Sequence, residues 1–212
     1  EHNVTLTQGF YLGKYEVTQA QYEAVMTGNS DGLSATPSRW PNNQNRPVEQ
    51  VSWEDAQIFL TRLNVQQSAN IPAGWAYVLP TEAQWEYACR AGTTTAYSWG
   101  SSIAASNANY NWDGGWNTGS DFKQTRDVGQ YAANPWGFFD MHGNVWEWTA
   151  DWYRAAYPSG NPVLDPTGPA LGSFRVRRGG SWHDGGAYLR SAIRPPSPRT
   201  NALGFRVGFQ PQ

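Results

Sequence analysis

The run GFFDMHGNVWEWTADWY at residues 137–153 places two carboxylates, Asp140 and Glu147, on either side of a tight Gly143-Asn144 turn and surrounds them with aromatic rings. A turn of this kind aims its flanking side chains and its own carbonyls at one point, and ligation by oxygen alone is what a hard cation such as Ca2+ takes. A second reading stays open: Asp140 and Glu147 cap turns or pair with arginine, because charged groups set among aromatics are satisfied in one way or another. Trp146 and Trp148, with Trp85 upstream, are expected in the core.

Outward from that run, three segments carry helix-start signals. In VTQAQYEAVM, residues 17–26, Thr18 and Gln21 form a capping-box pattern and Gly28 ends the helix. In VSWEDAQIFLTRLNVQQ, residues 51–67, Ser52 and Asp55 repeat it, Glu54 and Asp55 suit the first turn, and Trp53, Ala56, Phe59, Leu60 and Leu63 share a face. In LPTEAQWEYACRAG, residues 79–92, Thr81 and Gln84 form the box and Gly92 is expected at C′, which places Cys89 in a helix. Strand signals are weaker. Residues 4–18 alternate enough for a hairpin broken at Gly9 or Gly13, and SFRVRRGGSW (173–182) and LGFRVGF (203–209) are expected to pair in a small antiparallel sheet. The polar tract between Thr93 and Val128 is longer than loops run without a function or a bound ion.

The chain has 212 residues, with 15 Lys plus Arg against 17 Asp plus Glu, and so lacks the basic footprint of a nucleic-acid binder. No apolar run is long enough for a membrane span. Aromatics at 15%, including 12 Trp, exclude a disordered chain and predict a folded domain, which the absence of repeats and linkers makes a single one over 1–212. The single cysteine, Cys89, rules out an intrachain disulfide and a thiol pair for zinc, and reads as a small buried hydrophobe. An ion would then replace the missing covalent clips, since metal binding contributes folding free energy directly. The sequence opens at Glu1 with neither Met nor a charged-then-apolar leader, as expected of a processed or trimmed chain.

Six blocks, GKYEVTQAQYEAVM, RPVEQVSWEDAQIFLTRLN, LPTEAQWEYACRAGT, GFFDMHGNVWEWTADWY, RRGGSWHD and LGFRVGF, occur in an order that resembles the formylglycine-generating enzyme, or sulfatase-modifying factor, family. The resemblance implies an α+β, elaborated C-type-lectin-like fold that is loop-rich, with few helices and a small antiparallel sheet. It also implies calcium as cofactor, with one site on the Asp140 and Glu147 side chains and the Gly143 and Val145 carbonyls. A second site would use Asn109 and the Tyr110 carbonyl, with Asp121 and Phe122 matching only loosely and Asp113 as a further candidate. A solvated Asn/Asp/Gly loop is the alternative there.

Catalytic members of that family resemble copper oxidases that hold the metal through two cysteines shortly after an R-G-G-S motif. Here RGGSWHDGGAYLRSAIR, residues 178–194, contains no sulfur, and Cu(I) needs soft thiolate ligands. His2, His142 and His183 show no ligand spacing, which leaves a His183-Asp184 pair as the one catalytic candidate, while the Ser181 hydroxyl reads as a turn brace. The chain therefore reads as a non-catalytic, calcium-stabilised recognition or display module for a protein or carbohydrate ligand, extracellular or periplasmic. Trp182 and Phe205 are expected as buried anchors on either side of a recognition surface made of His183, Asp184, Ala187, Tyr188, Ile193, Pro195, Ser197 and Thr200. Arg190 and Arg194 are expected in internal carboxylate pairs. Between an RGGSW and a GFRV block the segment lacks Lys, Glu, Gln, Trp and Met, which is compatible with a variable protein of a diversity-generating retroelement. An extracellular structural subunit that self-associates, and an oxidoreductase with a different metal site, are the alternatives.

Overall fold

Each expected helix forms behind its expected cap in the computed structural model, which describes residues 3–41, 43–111, 123–156, 162–195 and 202–212. Helix α1 spans Gln19–Met26, α2 Trp53–Gln66 and α3 Glu82–Arg90, with reciprocal capping boxes at Thr18/Gln21, Ser52/Asp55 and Thr81/Gln84. Each box satisfies two backbone donors that a helix start leaves unpaired. Gly92 follows α3 as expected, although the left-handed turn already begins at Ala91, φ 47°.

Among the described residues there are eight short strands, in chain order β1 Val4–Thr5, β2 Tyr11–Leu12, β3 Trp75–Val78, β4 Trp146–Trp152, β5 Val163–Leu164, β6 Arg175–Arg178, β7 Leu203–Gly204 and β8 Gly208–Pro211. They form a parallel pair β1-β5, a sheet β2-β8-β3 and a sheet β6-β4-β7. The architecture is α+β, with few helices and most of the backbone in loops.

Two strand expectations are corrected. Residues 4–18 form no hairpin: β1 pairs in parallel with β5, and β2 pairs with β8, where Tyr11 lies opposite Phe209 and the rings sit 6.3 Å apart. Cross-strand aromatic contact and distant backbone partners outweigh local alternation here. Nor do β6 and β7 pair with each other. Strand β4 runs between them, antiparallel to β6 and parallel to β7, so that Glu147 stands opposite both Arg178 and Gly204. A Cβ at Gly204 would come 2.5 Å from the Val48 carbonyl oxygen, so only glycine lets β7 approach this closely.

The main core joins α1, α2 and the two sheets. Tyr22 stacks on Phe59 at 5.4 Å, and Phe205 meets Phe59 edge-on at 5.2 Å, over Met26, Val48, Leu60 and Trp146. A second cluster, Trp85, Ala88, Cys89 and Met141, ties α3 to the 137–153 run, and Tyr97, Ala108, Tyr110 and Leu189 form a third. Trp85, Trp146, Trp148, Trp182 and Phe205 are all buried, as the sequence indicated.

Candidate functional site

The turn before β4 is built from unusual backbone. Asp140, Gly143 and Asn144 adopt φ 56°, 101° and 61°, and a Cβ at Gly143 would come 2.4 Å from the Asn109 carbonyl oxygen. Left-handed conformations at non-glycine residues persist only where the surroundings over-determine them, and Asn144 shows how. Its backbone N–H donates to the Asn109 carbonyl at 2.9 Å, and its carbonyl accepts from Trp182 at 3.0 Å. Its Nδ2 donates to Glu16 Oε2 at 2.7 Å, while its Oδ1 accepts from Arg126 N at 2.9 Å and Asn109 Nδ2 at 3.1 Å. Asn109 and the turn, the two loops named as calcium candidates, thus lie against each other. Tyr110 is buried beside them, Val145 donates its N–H to Glu16 Oε1 at 3.1 Å, and Asp121, Phe122 and Asp113 lie outside the described residues.

Beneath the turn, the buried Glu16, Glu147 and Arg206 gather beside the half-buried Asp140. Arg206 forks onto Glu147 with Nε–Oε2 2.6 Å and Nη2–Oε1 2.7 Å, and the Trp85 indole donates to Oε2 at 2.7 Å. Asp140 Oδ2 accepts from Gly129 N at 2.6 Å. Both contacts anticipated as the alternative to calcium, a turn cap and an arginine pair, are therefore present. Three carboxylates share one guanidinium, and two of them, Glu16 and Asp140, are made weaker acids. Burial, then Asp140 and Glu147, pushes the Glu16 carboxyl well above the usual range, and burial with Glu147 pushes Asp140 up to about 6. The donors are all oxygen, and the excess charge suits a hard cation. No three acidic, His or Cys side chains among the described residues converge to hold an ion unaided, so backbone carbonyls would have to complete such a site.

Glu16 and Arg206 were missed from sequence. The available signal was a charge flanked by apolar residues in YEV and FRV, a pattern that buried ion pairs share with surface strands.

The segment after Ser181 divides into two layers. His183, Ala187 and Tyr188 face outward, Tyr188 with 46% of its surface exposed. Asp184 lies beneath that surface rather than on it: its Oδ2 accepts from the Trp146 indole at 2.8 Å and from the Ser181 hydroxyl, and its carbonyl accepts from Asn111 N at 3.0 Å. Ser181 braces the turn, as expected. Leu189 and Ser191 are fully buried, Ile193 packs half-buried against the main core, and Pro195 is half-buried. Ser197 and Thr200 lie outside the described residues. Arg194 forms the expected internal pair, Nε to Glu82 Oε1 at 2.8 Å, whereas Arg190 is exposed and donates to the Ala187 carbonyl.

Cys89, remote in sequence, is brought by α3 beneath this segment beside Ser191 and 3.6 Å from His142 Nε2. Burial pushes its thiol up to about 12 and holds His142 down to about 4, so neither is charged near neutrality. His142 donates from Nδ1 to the Leu189 carbonyl at 2.7 Å, because Nε2 accepts from Ser98 N.

A family model described as a sulfatase-modifying factor enzyme 1-like domain matches residues 1–210. Formylglycine-generating enzyme of Mus musculus is 37% identical over 180 residues, which is 78% of this chain and 44% of that protein. The Streptomyces coelicolor enzyme is 38% identical over 178 residues, 76% of this chain and 52% of that protein. The chain thus spans about half the length of these curated relatives. Among solved structures, Treponema denticola variable protein 1 superposes with TM-score 0.78 at 30% identity, covering 99% of this chain and 87% of that one. PvdO from Pseudomonas aeruginosa gives TM-score 0.78 at 26% identity over 98% and 82% of the two chains. No helix among the described residues is long and apolar enough to cross a membrane.

Proposed function

The chain belongs to the sulfatase-modifying factor enzyme 1-like family, and from that premise we propose that it is a non-catalytic, calcium-stabilised module that presents the residues after Ser181 to a protein or carbohydrate ligand in an extracellular or periplasmic setting. The layering of that segment carries the reading. Side chains at 183, 187 and 188 point away from the fold, while Asp184, Leu189 and Ser191 fix the backbone beneath them. A display surface needs this separation, because outer positions can change without altering the core. The overlay on a protein described as a variable protein supports the same use of the scaffold.

A library that randomises positions 183, 187 and 188 tests it. Most members should stay soluble and melt within a few degrees of the parent, whereas substitutions at Asp184 and Leu189 should unfold it; equal intolerance at both sets would overturn the reading.

Catalysis of the copper-oxidase type lacks its ligands, since residues 178–194 contain no thiol and the Cys89 thiol is held protonated near neutral pH. Incubation with copper and a sulfatase-type cysteine peptide should therefore yield no aldehyde above a protein-free control by mass spectrometry. Detectable conversion would contradict the non-catalytic assignment. In this proposal calcium is held by Asp140, Glu147 and the Gly143 and Val145 carbonyls.

A further inference from the structure

Sheet β2-β8-β3 sorts its residues by face. Cross-strand partners share a side and successive residues alternate, so Tyr11, Phe209 and Tyr77 lie on one face together with Trp75 and its partner Pro211. Leu12, Gly208, Val78 and Gln210 take the other face, which turns to α3: Leu12 packs against the Trp85 cluster, and Gln84 donates to the Gln210 side chain. On the ring-bearing face Tyr77 packs against the main core, and Tyr11, Trp75 and Phe209 are left outside it.

Those three rings form a triangle. Their centroids stand 5.1 Å (Trp75–Phe209), 5.9 Å (Tyr11–Trp75) and 6.3 Å (Tyr11–Phe209) apart, with planes tilted by 37°, 48° and 42°. Tyr11 keeps 68% of its surface exposed, and Trp75 and Phe209 are half-buried. Each ring sits on a strand of fixed register, so the exposed group is held in place by the sheet beneath it. Contiguous exposed rings mark an interaction site more strongly than scattered surface aromatics do.

Charge and area select the occupant. Residues 3–13, 63–81 and 207–212, which build this sheet and lead into it, contain no Asp, Glu, Lys, Arg or His, in a chain that is 15% charged. A charged ligand therefore gains no counter-charge from these segments. An added strand from another protein finds the outer edge of β3 closed: the Tyr77 N–H and carbonyl both bond the Asn64 side chain at 2.8 Å, and the Trp75 N–H donates to the Pro72 carbonyl at 3.0 Å. A protein face is too large a partner, since three rings of about 150–250 Å² each, even fully covered, fall short of the ~800 Å² that each side gives to a stable interface. A pyranose fits both terms. Its C–H face stacks on rings, and its hydroxyls pair with carboxamides, which donate and accept. Gln212 supplies a carboxamide beside Trp75, where its own N–H donates to the Gly74 carbonyl at 2.8 Å.

We propose that this uncharged sheet face binds a neutral oligosaccharide, with Tyr11, Trp75 and Phe209 as the stacking rings and Gln212 as a hydroxyl partner. None of these residues belongs to the segment after Ser181. Calorimetric titration of the full chain with xylohexaose, cellohexaose, mannohexaose and chitohexaose should show at least one binding with Kd below ~1 mM. Tyr11→Ala should weaken that binding by about tenfold with melting unchanged, because the ring is mostly exposed, whereas Tyr11→Phe keeps the stacking surface and should bind like the parent. Tyr188→Ala should leave binding intact. The proposal fails if no neutral hexaose titrates, if a heparin hexasaccharide binds more tightly than every neutral probe, or if Tyr11→Ala binds like the parent. It fails equally if Tyr11→Phe or Tyr188→Ala loses as much as Tyr11→Ala, or if sedimentation shows a dimer that Tyr11→Ala dissociates.

Discussion

Glu147 is gripped by Arg206 on both carboxylate oxygens and by the Trp85 indole N–H on one of them, all out of reach of water. Removing one member of such a pair strands the other, which costs about 3–5 kcal/mol. Arg206→Met is therefore expected to lower the unfolding free energy by that amount, read as a lower urea midpoint at constant slope, and a variant within about 1 kcal/mol of the parent would show the pair to be dispensable. Gly143→Ala tests the turn itself. It combines a φ of 101° with a Cβ position 2.4 Å from a carbonyl oxygen, so the variant should fail to fold or lose roughly 3 kcal/mol or more.

At the scale of elements, the helices are locally specified. Thr81→Ala removes one side of the α3 capping box and should cost about 1 kcal/mol in equilibrium unfolding. Strand β4 is specified from outside. It carries Glu147 between β6 and β7, and its register holds because Arg178 and Gly204 both stand opposite that residue. The loop before it, which approaches Asn109, is where an ion would matter most. If calcium sits there at about 100 times its Kd, it adds ~2.7 kcal/mol, so excess chelator should lower the melting temperature by roughly 5–10 °C. An unchanged melt together with no calcium by metal analysis would remove the ion from the account.

Across the whole molecule, the buried carboxyls of Glu16, Glu49 and Asp151 and the half-buried carboxyl of Asp140 all have their pKa raised by loss of solvent first, with Asp140 at about 6 and Asp151 at about 7. A carboxyl whose folded value exceeds its unfolded one holds a proton in the native state that the unfolded chain has lost, so stability falls as pH rises from about 4 to about 7. His142, held down to about 4, acts in the opposite sense between its ordinary value and pH 4, but it is one group against four. In chelator the protein should melt higher at pH 5 than at pH 8, and Asp151→Asn should flatten part of that slope. A melt that rises toward pH 8 in chelator would show that these carboxyls are ionised in the fold.

Sequence determined the parts of this protein whose cause is local. Three capping boxes, the glycine stops and the aromatic core positions follow from short-range hydrogen bonding and apolar spacing, so α1, α2 and α3 were legible to within a residue or two. The fold class was legible through six blocks kept in one order. Strand partners were not, because two-residue strands such as β1 and β7 carry no period, and their hydrogen bonds go to segments more than fifty residues away. Nor could sequence separate Asp184 from His183 beside it: both are polar, and only the approach of Trp146 and Asn111 buries the one and leaves the other outside. The buried Glu16-Glu147-Arg206 cluster is likewise tertiary, since it gathers side chains from distant parts of the chain. Local physics wrote the elements; long-range burial and charge matching decided which of their side chains meet.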